Sequence, residues 1–301
     1  MGIGDNLRYK IRMATVVEKL IGVNVLVFVL FFLFRTIAFL FQLPSDFLLQ
    51  WFVFPKEIGE FIYKPWTIIT YAFLHSGIWH ILGNMLILYF SGMYFLTYFS
   101  PRRLLNYYFL GVIIGALVFM LSYNLFPAFQ ATGRSYLLGA SAGVMAVLIG
   151  IATYIPYMRI RLVLLGSLKF WWIAAFLVAL DLIQIPMGNA GGHLAHLGGA
   201  LLGFVYTKQL QKGNDIGAWF GHLMDWFVGL FKPGEKKAKM KTVYRTKKKQ
   251  TTTKTYSHAT RMDRDEKQKR VDEILDKISK SGYDSLSKAE KDFLFKAGKD
   301  E

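Results

Sequence analysis

Six stretches of the chain stay almost wholly apolar for about the length of a bilayer crossing, at roughly 18–41, 78–98, 104–127, 137–157, 161–184 and 190–210. A hydrocarbon layer about 30 Å thick takes about 20 residues of helix to cross, and only helices or closed barrels satisfy their own backbone polar groups there. Uninterrupted runs fit helices, since barrel strands alternate apolar and polar positions. The pattern therefore predicts an all-α membrane protein with six transmembrane helices. Connections are short except for Gln42 to Leu74, which holds Pro44, Pro55 and Pro65 among many aromatics and predicts short helices lying partly in the interface. The first run, Leu20 to Phe41, follows Arg8, Lys10, Arg12 and Lys19 as a signal peptide would, yet it is too long and has no small-residue cleavage site, so a retained helix is expected.

Beyond the last run the pattern changes. Asp215 to Phe231 spaces Trp219, Phe220, Leu223, Trp226, Phe227 and Leu230 along one face with few charges, which predicts an interfacial helix. Lys236 to Thr260 is polar and basic, as a disordered linker is. Lys269 to Ser279 and Ser287 to Phe295 then read as two helices around Ser281-Gly282-Tyr283, the second opened by a capping box of Ser287 and Glu290. About thirty residues seldom fold stably alone, so this hairpin is expected to need a partner of unknown identity. The division expected is a membrane domain over 1–212, an interfacial amphipathic helix over 213–233, a basic disordered linker over 234–265 and a small helical hairpin over 266–301.

Charge adds orientation. The net charge is +16, and Lys236 to Lys254 carries nine Lys/Arg with no acid. Such a tail suits an anionic membrane face, so membrane lipids are expected partners; nothing near it resembles a nucleic-acid reading motif, and no nucleic-acid partner is expected. Further basic residues mark alternate connections, at the N-terminal stretch, at Arg102 and Arg103, and at Arg159 and Arg161, while the opposite connections hold Arg134 alone and, in the long first one, Lys56 and Lys64 against Asp46, Glu57 and Glu60. The positive-inside rule then makes both termini and the tail cytoplasmic, and the expected setting is a multi-pass protein of a bacterial inner (plasma) membrane. With no cysteine, disulfides, thiolate metal sites and a cysteine nucleophile are excluded.

Polar residues inside the apolar runs gather at the end opposite these basic loops. The fourth run opens with Gly139-Ala140-Ser141-Ala142-Gly143, the sixth with His193 and His196, and the second with His80 and Asn84 one turn apart. An ionisable residue within a membrane span is a functional hypothesis by default. Serine needs a base to take its proton, and a neutral imidazole does so near neutral pH. Gly139 and Gly143 on one run, with Gly199 and Gly203 on another, would let two backbones approach closely enough to pair Ser141 with His196. His80 and Asn84, at i and i+4, share a helix face and would supply donors to an oxyanion beside the Ser141 N–H. Blander readings exist: a lone membrane serine usually bonds back one turn, a Gly-x-x-x-Gly pair usually packs helices, and His193 with His196 would on a metal reading join His75 and His80 as ligands. Against the metal, no acid lies at matching depth, Asp181 reading as an interface or loop-facing acid near the end of the fifth run.

Taken together, Gly-Ala-Ser-Ala-Gly at 139–143, His75 with His80-x-x-x-Asn84, and Ala195-His196-x-x-Gly199-x-x-x-Gly203 resemble the rhomboid intramembrane proteases over about residues 15–210. The resemblance implies a six-helix rhomboid bundle with a Ser141–His196 dyad lacking a third, acidic member, in a wet cavity open to the outer face. It implies an oxyanion hole of Ser141 N–H, His80 and Asn84, with Gly199 seating the sixth helix on the fourth. A mobile fifth helix and the loop Gln184 to Gly192, with Gly188, Gly191 and Gly192, would gate entry. Substrates would be transmembrane segments of other proteins, cut near the outer face, and no cofactor or metal would be needed. The chain departs from the family pattern at Ala142, where glycine commonly follows the serine, and at Thr67, where arginine commonly follows the loop tryptophan. The rival function is a rhomboid-like protein that binds membrane clients without cutting them, and a third is a metal transporter using four histidines.

Overall fold

A computed structural model describes residues 3–44, 47–162, 166–231 and 258–297, in two compact units over Met1–Glu235 and Lys236–Glu301. In the first, a short helix α1 (Ile3–Met13) leads to α2 (Val16–Leu40), which begins at a full capping box: Glu18 N–H donates to Thr15 Oγ1 and Thr15 N–H to the Glu18 carboxylate. The connection that follows carries the short helices α3 (Ile58–Tyr63) and α4 (Thr67–Thr70). Then come α5 (Ile78–Tyr98), α6 (Pro101–Leu125), α7 (Ser141–Tyr154), α8 (Phe170–Gln184), α9 (Ala190–Gln211) and α10 (Ala218–Phe231). The break between α5 and α6 is sharp because Ser100 caps the Arg103 N–H and Pro101 takes the first helical position, where no N–H is needed.

Small residues decide what packs on what. α7 is buried along its whole middle, Ala142 to Ala152, as expected of a helix apolar on every side. Gly111 and Gly115 bring α6 against Ala146 and Ala142, while Gly199 and Gly203 bring α9 onto the Ala142 and Ala146 carbonyls. Three helices thus enclose a common core, with Tyr107 stacked on Tyr206 and bonded to Thr207 across it. At the other extreme, α8 buries only Phe170, Ala174 and Asp181.

The long first connection is held down at several points. Trp66 Nε1 donates to the Trp51 carbonyl, the two indoles stack, and Thr70 Oγ1 donates to the Phe52 carbonyl. Strand β1 (Phe54–Pro55) pairs antiparallel with β2 (Tyr136–Leu137), fastening this connection to the segment that enters α7.

Two differences from the sequence reading concern strands. The fifth run, expected from 161, begins as a hairpin of β3 (Arg159–Leu162) and β4 (Gly166–Lys169), and the helix starts only at Phe170. Arg159-Ile160-Arg161-Leu162 alternates with period two, a strand signal that the apolar count overrode. The fold is mostly helical, as an all-α reading expects, with two small two-stranded sheets among the described residues. Among the described residues, four helices are long and apolar enough to cross a membrane: α2, α5, α6, and α8 with its one-turn extension to Met187. Neither α7, with fourteen residues, nor α9 is among them.

At the end of the bundle bearing Arg102 and Arg103, α10 is tied back by Arg103–Asp215 and Arg102–Asp225 ion pairs of 2.9 and 2.7 Å. Phe220 is buried there while Trp219, Leu223, Trp226 and Leu230 stay exposed. Burial alone would raise the Asp215 carboxyl, but the Tyr206 hydroxyl and the Arg103 guanidinium bonded to it outweigh that and lower it.

The second unit holds α11 (His258–Ser281) and α12 (Lys288–Ala297), joined through Gly282 at φ +79. The basic linker expected over 234–265 lies outside the described residues as far as 257, and its remainder belongs to α11, which starts well before Lys269. Ser287 and Glu290 make the reciprocal bonds of a capping box, and Lys277 reaches the same glutamate at 2.9 Å.

Candidate active site

Three helices start at one end of the bundle, and each brings a polar side chain there: His80 and Asn84 on α5, Ser141 on α7, His193 and His196 on α9. Two cavities meet among them. One, of about 440 Å³, is lined by Ser76, His80, Ser141, Asn189 and His196; the other, of about 310 Å³, by His80, Asn84, Ser141, Asp181, His193 and His196, with apolar walls from α5 and α8. Ser141 and His196 thus face the same two spaces from different helices.

Ser141 is the first residue of α7, so no helical carbonyl precedes it for its hydroxyl to bond, and among the described residues its Oγ has no hydrogen bond. That removes the bland account of a back-bonded membrane serine. Ala140, the cap position, offers no side-chain acceptor. The N–H groups of Ser141, Ala142 and Gly143 are therefore orphan donors at the positive end of a helix, an arrangement suited to anionic oxygen. Gly139 sits just before them at φ +122, and a Cβ there would stand 2.8 Å from His80 Nε2 and 3.6 Å from Ser141 Oγ. Glycine is required by both the backbone angle and the imidazole lying on it.

His80 is oriented by Ser76, whose N–H and Oγ lie 3.4 and 3.1 Å from Nδ1. A backbone N–H can only donate, so Nδ1 accepts and Nε2, which lies over Gly139, carries the proton. Asn84 is buried, and one N–H of its amide donates to the His80 carbonyl at 3.0 Å, leaving the second. His75 packs edge-on to His80, and burial, with His80 beside it, lowers its imidazole to about 4, so it stays neutral near pH 7.

The four glycines expected to join two helices divide their work. Gly199 and Gly203 press on the carbonyls of Ala142 and Ala146, whereas Gly143 faces α6 at the Tyr108 carbonyl and Gly139 precedes the helix.

One expectation is overturned. Asp181 is neither loop-facing nor interfacial: only 8 % exposed, it places Oδ1 2.8 Å from His196 Nδ1 and 2.8 Å from His193 Nδ1. An acid does lie at the depth of the histidines, so the expectation of a pair with no acidic neighbour fails. The sequence held the signal: α8 and α9 are antiparallel neighbours across a short connection, and Asp181 and His193 to His196 stand nearly equidistant from it. Asp181, His193 and His196 are also the described residues able to hold a metal, with donor atoms within 4.8 Å of one another; His75 and His80 are not in that group.

Residues 63–212 match the Rhomboid domain family, and residues 254–296 match DUF6576, a family of unknown function. The chain is 29 % identical over 158 residues to RHOMBOID-like protein 12, mitochondrial, of Arabidopsis thaliana, covering 49 % of this chain and 47 % of that protein. It is 33 % identical over 158 residues to Presenilin-associated rhomboid-like protein A, mitochondrial, of Danio rerio, covering 52 % and 37 %. It is also 33 % identical over 85 residues to Inactive RHOMBOID-like protein 8 of Arabidopsis thaliana, covering 28 % and 24 %. The chain spans less than half the length of each of these relatives. They overturn the expected bacterial inner membrane, since these relatives are eukaryotic and the first two are mitochondrial by name.

Proposed function

The chain belongs to the rhomboid family through residues 63–212, and from that premise we propose that it is an intramembrane serine endopeptidase acting on transmembrane segments of other proteins through Ser141 and His196. The observation that carries the reading is the pair of cavities both residues line, with a hydroxyl free of other bonds beside uncapped backbone donors.

His196 takes the Ser141 proton as Oγ attacks the scissile carbonyl. The developing oxyanion is held by the Ser141 N–H, by His80 Nε2–H and by the spare Asn84 N–H. His196 then protonates the leaving amine, and water releases the acyl-enzyme by the same steps in reverse. No metal or organic cofactor enters these steps.

In the same reading α7 and α9 complete a six-span bundle. Fourteen residues at about 1.5 Å each reach about 21 Å, well short of a core about 30 Å thick, so α7 starts below the surface and Ser141 lies within the membrane. Its neighbours at that depth are α5 and α8, whose Ile87, Leu177 and Leu180 give the smaller cavity an apolar wall toward an entering helix. Water reaches it beside Ser76 and Asn189 in the larger one. Substrates are single-pass helices with helix-weakening residues near the membrane face opposite the basic loops, because a scissile bond must unwind to be reached. The names of the relatives favour a mitochondrial membrane as the setting, which fractionation of tagged protein tests.

A fluorophosphonate or isocoumarin probe tests the chemistry. Labelling of wild type that disappears in Ser141→Ala and His196→Ala supports the protease, while well-folded protein that never labels supports a rhomboid-like binder of membrane clients.

A further inference from the structure

The chemistry set out above leaves the base His196 without an acidic partner, yet this chain buries a carboxyl group against it. Asp181 is the one polar residue among the three that α8 buries, the others being Phe170 and Ala174. Its Oδ1 meets Nδ1 of His196 and Nδ1 of His193, both at 2.8 Å, with its side chain 11 % exposed. A carboxylate only accepts, so both imidazoles donate from Nδ1. That fixes His196 with its proton on Nδ1 and its lone pair on Nε2, the form a general base must have.

We propose that Asp181 is a positioning residue for His196, making the site a Ser141–His196–Asp181 constellation in which His193 grips the same carboxylate oxygen from one turn earlier. The proposal deepens the protease reading and rests on it. The carboxylate holds the imidazole in one tautomer and one orientation, and it faces the positive charge that His196 gains when Ser141 gives up its proton. His193 supplies the second donor to that oxygen, so the carboxylate is fixed before substrate arrives and needs no rearrangement during the reaction. Because Asp181 stands on α8 and both histidines on α9, the base is set by the packing of these two helices rather than by α9 alone.

A metal held by the same three residues is the competing account, and the distances argue against it. Ligand atoms about 2.0–2.1 Å from a tetrahedral ion stand about 3.3 Å from each other. The two 2.8 Å separations here are shorter than that edge and are those of charge-assisted hydrogen bonds.

The test uses the full chain in proteoliposomes with a fluorogenic single-span substrate, comparing wild type, Asp181→Asn, Asp181→Leu, Asp181→Glu and Ser141→Ala. Expected is a fall in kcat of roughly 100-fold or more for Asp181→Asn and Asp181→Leu, KM within about twofold of wild type, and partial recovery in Asp181→Glu. On ¹⁵N-histidine protein the His196 Nδ1–H resonance should lie far downfield in wild type and vanish in Asp181→Leu. Unchanged kcat in both Asn and Leu variants, or a downfield resonance that survives in Asp181→Leu, overturns the proposal. So does a stoichiometric metal in purified wild type that is lost from Asp181→Leu and whose chelation stops turnover. If wild type turns over no faster than Ser141→Ala, the protease reading fails separately, and the resonance alone then decides whether Asp181 sets the imidazole.

Discussion

Gly139 shows how much one missing side chain does at this site. Its φ of +122 lies where L residues are strained, and the space a Cβ would need is taken by the His80 ring at 2.8 Å. Alanine there costs on the order of 1–3 kcal/mol in backbone strain and pushes His80 off the line toward Ser141. Gly139→Ala should therefore slow acylation by a serine probe at least tenfold. Gly133→Ala, in the same connection but with nothing near its Cβ position, should leave the rate unchanged. Equal rates in the two variants would show that His80 does not depend on that gap. Ser141, His196, His80 and Asn84 could be found from sequence because polar groups in apolar runs stand out. Asp181 did not stand out: it was placed by its distance from the apparent end of its run at 184. The helix in fact continues through a further turn to Met187, which puts the carboxyl well inside.

Among the elements, the seam between α7 and α9 is what brings Ser141 and His196 to the same two cavities. A Cβ on Gly199 meets the carbonyl of Ala142, and one on Gly203 that of Ala146, so both contacts are backbone against backbone with no side chain to move aside. Overpacking at such a seam costs about 1–3 kcal/mol or more, because a helix must shift as a whole. Gly199→Val should thus lower the thermal midpoint and abolish probe labelling together. Gly22→Ala in α2, where a Cβ meets nothing, should leave labelling intact and gain helix propensity of up to about 1 kcal/mol. Labelling that survives in Gly199→Val would mean the two helices need not touch for Ser141 and His196 to meet. Sequence reasoning paired these helices through four glycines, of which two do the joining. The Gly-x-x-x-Gly spacing cannot say which neighbour each glycine faces, and on α7, buried on every side, Gly143 faces α6 instead.

For the whole molecule, hydropathy counts helices well where a helix is long and lipid-facing, and less well where it is enclosed. α7 is too short and α9 too interrupted by histidine and glycine to be counted as spans by length and composition, though both lie at the centre of the bundle. The second unit is legible for a different reason, local hydrogen bonding: Ser287 and Glu290 announce the start of α12, and they bond as expected. That contact also gives the unit a pH dependence of its own. The Glu290 carboxyl accepts from Lys277 and from the Ser287 N–H, which lowers it from 4.5 to about 2. A carboxyl depressed on folding stabilises fully above its unfolded value and loses that contribution as pH falls through the folded one, here from about 4.5 down toward 2. Glu290 is only partly buried, so salt should weaken the effect. Hydrogen exchange of α12 in the full chain, corrected for intrinsic rates, should lose protection over that window in wild type. In Glu290→Gln, which keeps an acceptor for the Ser287 N–H but has no charge to titrate, the loss should be absent. Parallel curves for the two proteins would assign the acid sensitivity of the hairpin to some other group.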